Sequence, residues 1–95
     1  MKFAVIAEYT SDKARIAEVR PLHRVHLTKL KDEKKIVVSG PFVDDSGALM
    51  IFEAESADEI ERWMSNDPFT RGGIITKRTI RPWREVYTDR GKIPA

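Results

Sequence analysis

The sequence contains no cysteine, so it can form neither a disulfide nor a thiolate metal site. Its 95 residues are the length of one small domain, and a domain of this size builds only a modest hydrophobic core. Self-association is a common way to stabilise such a core when disulfides are absent. We therefore expect a homodimer, or a higher oligomer, in a reducing compartment such as the cytoplasm.

Long apolar runs and an excess of one charge are also missing. No stretch reaches the ~20 apolar residues of a membrane-spanning helix, and the opening apolar run meets Glu8 too early for a signal peptide. The 17 basic residues nearly balance the 15 acidic ones. The locally basic run at 77–84 is typical of the solvated face of a strand. We expect no membrane and no nucleic-acid partner.

Motifs for cofactors are absent as well. The five glycines match neither a dinucleotide-binding nor a phosphate-binding loop, and there is no Gly-x-Ser-x-Gly element. His23 and His26, three residues apart, would face one metal ion on a helix, but the sequence has no further histidine or cysteine to complete a zinc site. We expect no cofactor and no metal.

Periodicity predicts the order β-α-β-β-α-β in a single domain, with a core at 2–87 and a polar, frayed tail at 88–95. The predicted strands are 2–9, 35–42, 48–54 and 74–87, and the predicted helices are 12–34 and 56–66. This is an α+β, ferredoxin-like protomer with two helices on one face of a four-stranded antiparallel sheet. Two protomers would bury the other, bare face against each other.

Local signals set the ends of the helices. Asp12 is among the candidate N-caps of the first helix, and Pro21 must kink that helix or begin a second one. Ser56 and Glu59 have the spacing of a capping box at the start of the second helix. Asp67 precedes a proline, which disfavours helical geometry, and therefore ends that helix.

The apolar stripe of the first helix contains a histidine. The stripe repeats at steps of three and four residues: Ile16, Val19, Leu22, His26 and Leu30. His26 thus faces the sheet, either as a core histidine or as a general acid or base, while His23 lies at the rim. Asp67 is the best candidate for a carboxylate that orients the ring of His26, or it is only the residue that ends the helix. Gly40 permits the close approach of a ligand or of another backbone, or it only forms part of a turn at the end of the strand.

Short motifs in order along residues 2–87 resemble the YCII-related (YciI-like) domain family of the dimeric α+β barrel group. They are Phe3–Ile6, His26–Leu30, Ser39–Pro41, the strand led by Gly47, Asn66–Phe69 and Ile80–Trp83. The resemblance implies a protomer that dimerises sheet to sheet and a cleft that holds a His–Asp dyad. The dyad maps onto His26 and Asp67, and a shift of three residues would put His23 in its place.

The resemblance also implies a function. One relative acts as a dehydrochlorinase on a chlorinated ring compound, so we expect a small-molecule enzyme of lyase or isomerase type whose dyad transfers a proton. Ser39, Gly40, Pro41 and Phe69 are the expected substrate contacts, and Arg20 or Arg24 is a candidate anion contact. The alternative is a non-catalytic dimeric module that binds a ligand or a protein and in which the His–Asp pair is structural.

Overall fold

The computed structural model describes residues 1–92 and has the predicted α+β architecture. The main elements are β1 (Lys2–Tyr9), α1 (Lys13–Asp32), β2 (Ile36–Pro41), β3 (Gly47–Glu53), α2 (Ala57–Ser65), α3 (Pro68–Arg71) and β4 (Ile75–Trp83); a short ribbon of β5 (Tyr87–Thr88) and β6 (Gly91–Lys92) follows. None of the helices within residues 1–92 is both long and apolar enough to span a bilayer.

The four long strands form one sheet in the order β2-β3-β1-β4, with every neighbouring pair antiparallel. This order is that of a ferredoxin-like fold, as predicted. The central strands β1 and β3 pair in a register that sets Phe3 opposite Phe52 and Val5 opposite Met50. These side chains share one face of the sheet because alternate residues of a strand point to the same side.

The core lies between that face and the helices. Alternate residues of β1 and β3 are buried there against the apolar stripes of α1 and α2 and against Phe69 of α3. The buried apolar residues of the helices are Ile16, Val19, Leu30, Ile60, Met64 and Phe69. This single apolar layer holds both helices on one side of the sheet.

The opposite face of the sheet is uncovered in the protomer and carries exposed apolar side chains from all four strands. Ile6 and Leu49 are cross-strand neighbours on the central strands, and they are 46% and 41% exposed. Val38 and Trp83 extend this face to the two outer strands and are also exposed. We call the surface formed by Ile6, Val38, Leu49 and Trp83 the open face.

Helix α1 begins as predicted and continues through its proline. Asp12 is the N-cap, and its Oδ1 accepts a hydrogen bond from the backbone N–H of Arg15 at 3.1 Å. Pro21 lies inside the helix and is exposed, so the carbonyl of Ala17, which loses its usual N–H partner, faces solvent. Pro21 therefore neither ends α1 nor begins a second helix.

The second helical region differs from the prediction at both ends. Ser56 is the N-cap residue of α2, but its side chain makes no capping hydrogen bond, so the predicted capping box is not formed. Asp67 does end α2, but it is also the N-cap of α3, a four-residue helix that the sequence analysis missed. The proline after Asp67 occupies the first turn of that helix, where its missing N–H costs nothing.

The end of the chain also departs from the prediction. Strand β4 ends at Trp83 rather than at 87, and Pro82 is tolerated within it because β4 is an edge strand. Residues 87–92 form the β5–β6 ribbon, whereas a frayed tail was predicted from 88 onward. The rest of that predicted tail, 93–95, lies outside the described residues.

Candidate functional site

A buried histidine–aspartate pair joins the middle of α1 to the junction of α2 and α3. The Nδ1 atom of His23 lies 2.7 Å from Oδ1 of Asp67. Asp67 has no exposed surface and His23 is 7% exposed. Because a carboxylate accepts hydrogen bonds, Nδ1–H of His23 donates, and the lone pair of the ring is placed on Nε2. The pair thus fixes both the orientation and the tautomer of the imidazole.

Two further contacts hold this pair in place. Oδ1 of Asp67 also accepts the backbone N–H of Phe69 at 2.9 Å, which is the N-cap interaction of α3. The ring of Phe69 stacks on the imidazole of His23 with centroids 3.8 Å apart and planes within 3° of parallel. The same short helix therefore positions the carboxylate through its backbone and the imidazole through a side chain.

The second ring nitrogen of His23 is available. Among residues 1–92, Nε2 has no hydrogen-bond partner, and it is not one of the enclosed polar atoms that lack one. Those enclosed atoms include Oδ2 of Asp67. A histidine with Nδ1 bound to a carboxylate and Nε2 open has the arrangement of a general base or acid.

The predicted hydrogen bond between His26 and Asp67 is wrong. Nε2 of His26 lies 3.0 Å from the backbone carbonyl of Trp63, so its N–H donates to α2, and the ring is half-buried. The interaction fastens α1 to α2, and among residues 1–92 the ring of His26 has no carboxylate partner. His26 thus has the geometry of the core histidine that the sequence analysis held as the alternative.

Helical geometry explains the error. At about 100° per residue, the seven residues from Ile16 to His23 bring the helix back to within about 20° of the same direction, whereas Leu22 lies about 120° away from Ile16. His23 is also seven residues before the buried Leu30. Leu22 is 63% exposed. Apolar character predicted Leu22 at the inward position, although angular position favoured His23.

A second cluster lies beside the dyad, at the end of β1. The ring of Tyr9 meets that of Phe69 edge to face, with centroids 5.3 Å apart. The pKa of Tyr9 is raised to about 12, chiefly because its hydroxyl is buried. The positive charge of Arg20 lowers this pKa, and the negative charges of Asp45 and Asp67 raise it. The hydroxyl of Tyr9 is therefore neutral at ordinary pH and lies within the fields of these three charges.

Arg20 and Asp45 form an ion pair in this cluster. Nη2 of Arg20 lies 2.6 Å from Oδ1 of Asp45, and both side chains are partly buried. Arg20 precedes His23 by three residues, so the two lie on neighbouring parts of one face of α1. Arg24, the other candidate anion contact, is exposed and lines a different groove, between α1 and β2.

The predicted substrate contacts are separated in the structure. Ser39, Gly40 and Pro41 line a shallow groove of about 300 Å³ together with Phe42 and Leu49, and neither dyad residue lines this groove. Phe69 lies instead at the dyad, where it is fully buried and offers no surface to a ligand. It positions His23 rather than contacting a substrate, which the sequence analysis did not foresee.

The basic run at 77–84 is divided by the alternation of β4. Arg78 lies on the helix side and pairs with Glu61 at 2.6 Å. Lys77 and Arg81 point to the open face. Within residues 1–92, no group of three or more histidine, aspartate or glutamate side chains is arranged to hold a metal ion.

Comparison with known proteins gives a family for this fold. The model of the YCII-related domain matches residues 1–84. The chain is 30% identical over 93 residues to Protein YciI of Escherichia coli O6:H1 and to that of Shigella flexneri, covering 83% of this chain and 95% of each relative.

Solved structures with a similar fold include an enzyme and a second protein of lower similarity. 5-Chloro-2-hydroxyhydroquinone dehydrochlorinase (TftG) from Burkholderia phenoliruptrix AC1100, in complex with 2,5-dihydroxybenzoquinone, superposes with a TM-score of 0.80 at 27% identity, covering 97% of this chain and 100% of that one. An antibiotic biosynthesis monooxygenase, with a TM-score of 0.53 at 20% identity over 84% of this chain and 93% of that one, shares the fold alone.

Proposed function

Because the chain belongs to the YCII-related domain family, we propose that it is a small-molecule enzyme of lyase or isomerase type that transfers a proton through His23 and Asp67. The observation that carries this proposal is the 2.7 Å hydrogen bond that commits Nδ1 of His23 to a buried carboxylate and leaves Nε2 open. The dehydrochlorinase TftG, a lyase-type enzyme of the same fold, supports the reaction class.

In the proposed reaction, Nε2 of His23 removes a proton from the substrate. Asp67 stabilises the imidazolium that forms and does not itself take the proton. The electron pair of the broken bond either expels a leaving group, as in a lyase, or shifts along a conjugated system, as in an isomerase. Imidazolium then returns the proton to the product or to water. General acid–base catalysis of this kind contributes about 10²–10⁴-fold in rate.

The first test is turnover of 5-chloro-2-hydroxyhydroquinone, which is measured as the release of chloride. We expect His23→Gln and Asp67→Asn to lose about 100-fold or more of the rate, because the base or its orienting partner is removed. His26→Gln is the matched control, and it should stay within about threefold since its ring is engaged by Trp63. Loss of turnover in the His26 variant alone would contradict the assignment of the dyad.

A non-catalytic binding module is the second candidate, and the close packing of the dyad favours it. His23 is only 7% exposed, and one face of its ring is covered by Phe69. In that case Asp67 and His23 would only fasten α1 to α3. The wild type would then not exceed the uncatalysed rate with any substrate, and exchange of His23 ring protons, followed by NMR, would be slow. Urea unfolding of both dyad variants separates lost stability from lost catalysis.

We also infer that the functional unit is a homodimer joined through the open face. Exposed Ile6, Val38, Leu49 and Trp83 put an apolar side chain from each of the four strands on the open face, next to the cations Lys77 and Arg81. Exposed apolar surface of this kind marks interaction sites in soluble proteins. A second copy with the same surface covers it by twofold symmetry.

A further inference from the structure

A groove runs between α1 and the edge strand β2, and we call it the edge groove. It has a volume of about 450 Å³. The residues that α1 contributes share one stripe of the helix: Arg24, Leu27, Thr28 and Lys31. Strand β2 contributes residues 36–39. Leu27 and Ile36 pack against the core, so part of the groove is apolar, while Arg24 and Lys31 place positive charge along its helical side.

Strand β2 is the last strand on its side of the sheet, so the outer edge of its backbone pairs with no strand among residues 1–92. The backbone N–H of Phe42 donates to the carbonyl of Gly47 at 2.8 Å, in register with the β2–β3 pairs. Backbone hydrogen bonds between antiparallel strands form at every second residue, so Val38 and Gly40 also bond to β3. The N–H and carbonyl of Ser39 therefore point outward, next to the edge groove.

The two edge strands of the sheet differ in their protection against pairing. Strand β4 contains Lys77 and Pro82, and charged side chains and prolines on an edge strand hinder the addition of another chain. Strand β2 has no charged residue over Ile36–Pro41, and its Val37 and Val38 are 48% and 60% exposed. The bulge between 36 and 38 and the proline at 41 limit the regular open edge to a short stretch. This edge therefore suits a short extended segment.

The charge of the edge groove selects its partner. Among residues 1–92, the exposed Arg24 forms no ion pair. Lys31 pairs with its neighbour Asp32 at 3.5 Å, and both side chains are 67% exposed, so this pair is weak. If β2 of a second copy paired with this edge by twofold symmetry, the two α1 helices would lie side by side and their cations would repel each other. An acidic segment of a different protein is the complementary occupant.

We propose that the edge of β2 and the edge groove form a docking site for a short, extended, acidic segment of a partner protein. The segment adds a strand to the sheet and exchanges backbone hydrogen bonds with Ser39. Because side chains alternate along a strand, one set faces α1, where aspartate or glutamate meets Arg24 and Lys31. The other set continues the open face beside Val38. This inference is independent of the proposed function of the dyad.

The test uses a capped peptide of alternating glutamate and valine as the probe, with a peptide of alternating lysine and valine as the charge control. Dissociation constants are measured by calorimetry for the wild type and for two pairs of variants. The double variant Arg24→Met/Lys31→Met removes the cations of the groove, and Lys29→Met removes an exposed cation of α1 that does not line it. Ser39→Pro removes the outward N–H, which costs the fold no backbone hydrogen bond, and Ser39→Ala is its control.

We expect the glutamate peptide to bind the wild type and to shift the NMR signals of the backbone amides of β2, and we expect the lysine peptide not to bind. The double variant should bind about 10-fold or more weakly because its charge-assisted contacts are lost, and Lys29→Met should match the wild type. Ser39→Pro should lose binding, whereas Ser39→Ala should retain it. Urea unfolding establishes that each variant is folded.

Failure of the glutamate peptide to bind at millimolar concentration would contradict the docking site, as would equal affinity for the wild type and for Ser39→Pro or the double variant. Equal binding of the lysine peptide would also overturn it, since the groove would then not select charge. If sedimentation velocity shows that Ser39→Pro disrupts self-association, the edge is an interface between copies and not a docking site for a partner. None of these results bears on turnover by the dyad.

Discussion

Residue identity at one helical position decides what this site can do. His23 and His26 differ by three positions, yet one donates to a buried carboxylate and the other to a backbone carbonyl. The first interaction leaves Nε2 as the open, basic nitrogen, and the second uses Nε2 as a donor. Two histidines on one helix therefore have opposite tautomers, and of the two only His23 donates to a carboxylate that can stabilise its imidazolium.

Tyr9 allows a prediction at this scale. Folding raises its pKa from 10.0 to about 12, chiefly by burial, so the folded state favours the neutral phenol. This contribution to stability is complete below pH 10.0 and is lost as the pH rises through about 12. The free energy of unfolding, from urea titrations across this range, should fall more steeply in the wild type than in Tyr9→Phe.

Direct titration of the phenol provides the control. The sequence has two tyrosines, so Tyr87→Phe leaves Tyr9 as the only one, and the ultraviolet absorbance of tyrosinate then reports Tyr9 alone. The midpoint of the Tyr9 titration in this variant should lie near pH 12. A midpoint at the ordinary value of 10.0 would mean that the hydroxyl of Tyr9 is open to water rather than buried.

At the scale of elements, the β2–β3 turn and the start of β3 deliver Asp45 to Arg20. Gly47 begins β3 where it crosses β1, and a Cβ atom there would lie 2.1 Å from the carbonyl oxygen of Ala7. That oxygen belongs to the backbone of a central strand and cannot move aside as a flexible side chain would. The close approach of β1 and β3, and with it the position of the turn, requires glycine.

Gly47→Ala should therefore destabilise the fold by about 1–3 kcal/mol, the usual cost of overpacking, and more if β1 must shift. Gly40→Ala is the matched control because a Cβ atom at Gly40 meets no heavy atom within 4 Å of the protomer. Urea unfolding of both variants measures the difference. Equal stability of the two variants would show that β3 can separate from β1 without cost.

At the scale of the whole molecule, the sheet has one face buried by helices and one apolar face uncovered. In the proposed dimer, each open face covers the other and enlarges a core that is small in a 95-residue chain. Sheet-to-sheet burial would also bring the groove at Ser39, Gly40 and Pro41 close to the second copy, because Leu49 lines that groove and belongs to the open face.

Leu49→Glu should convert the dimer to monomers, since a carboxylate buried without a partner in an apolar interface is costly. Val43→Glu makes the same kind of change at a fully exposed position in the β2–β3 connection, where relative exposure is 108%, and should leave the assembly intact. Sedimentation velocity distinguishes the two. A wild type that sediments as a monomer at micromolar concentration would refute the dimer.

Much of the fold followed from the sequence because its signals are local. The short run rich in Phe, Val, Ile and Tyr at 2–9, and the apolar run at 48–54 after the turn at 44–47, predicted the central strands. The order of elements predicted a ferredoxin-like sheet. The motifs of the YCII-related domain were sufficient to identify the family. Asp67 was identified as a site candidate because its position before a proline is a local feature.

Only the tertiary structure decided which histidine meets Asp67, and the reason is physical. Apolar periodicity predicts which face of α1 is buried, but it favours Leu22 over His23 for the buried position. Burial of His23 is favourable only because its ring stacks on Phe69 and donates to a carboxylate 44 residues away in sequence. The missed helix α3 and the pairing of Arg20 with Asp45 have the same origin. Each depends on contacts between segments distant in sequence, which no local pattern of residues records.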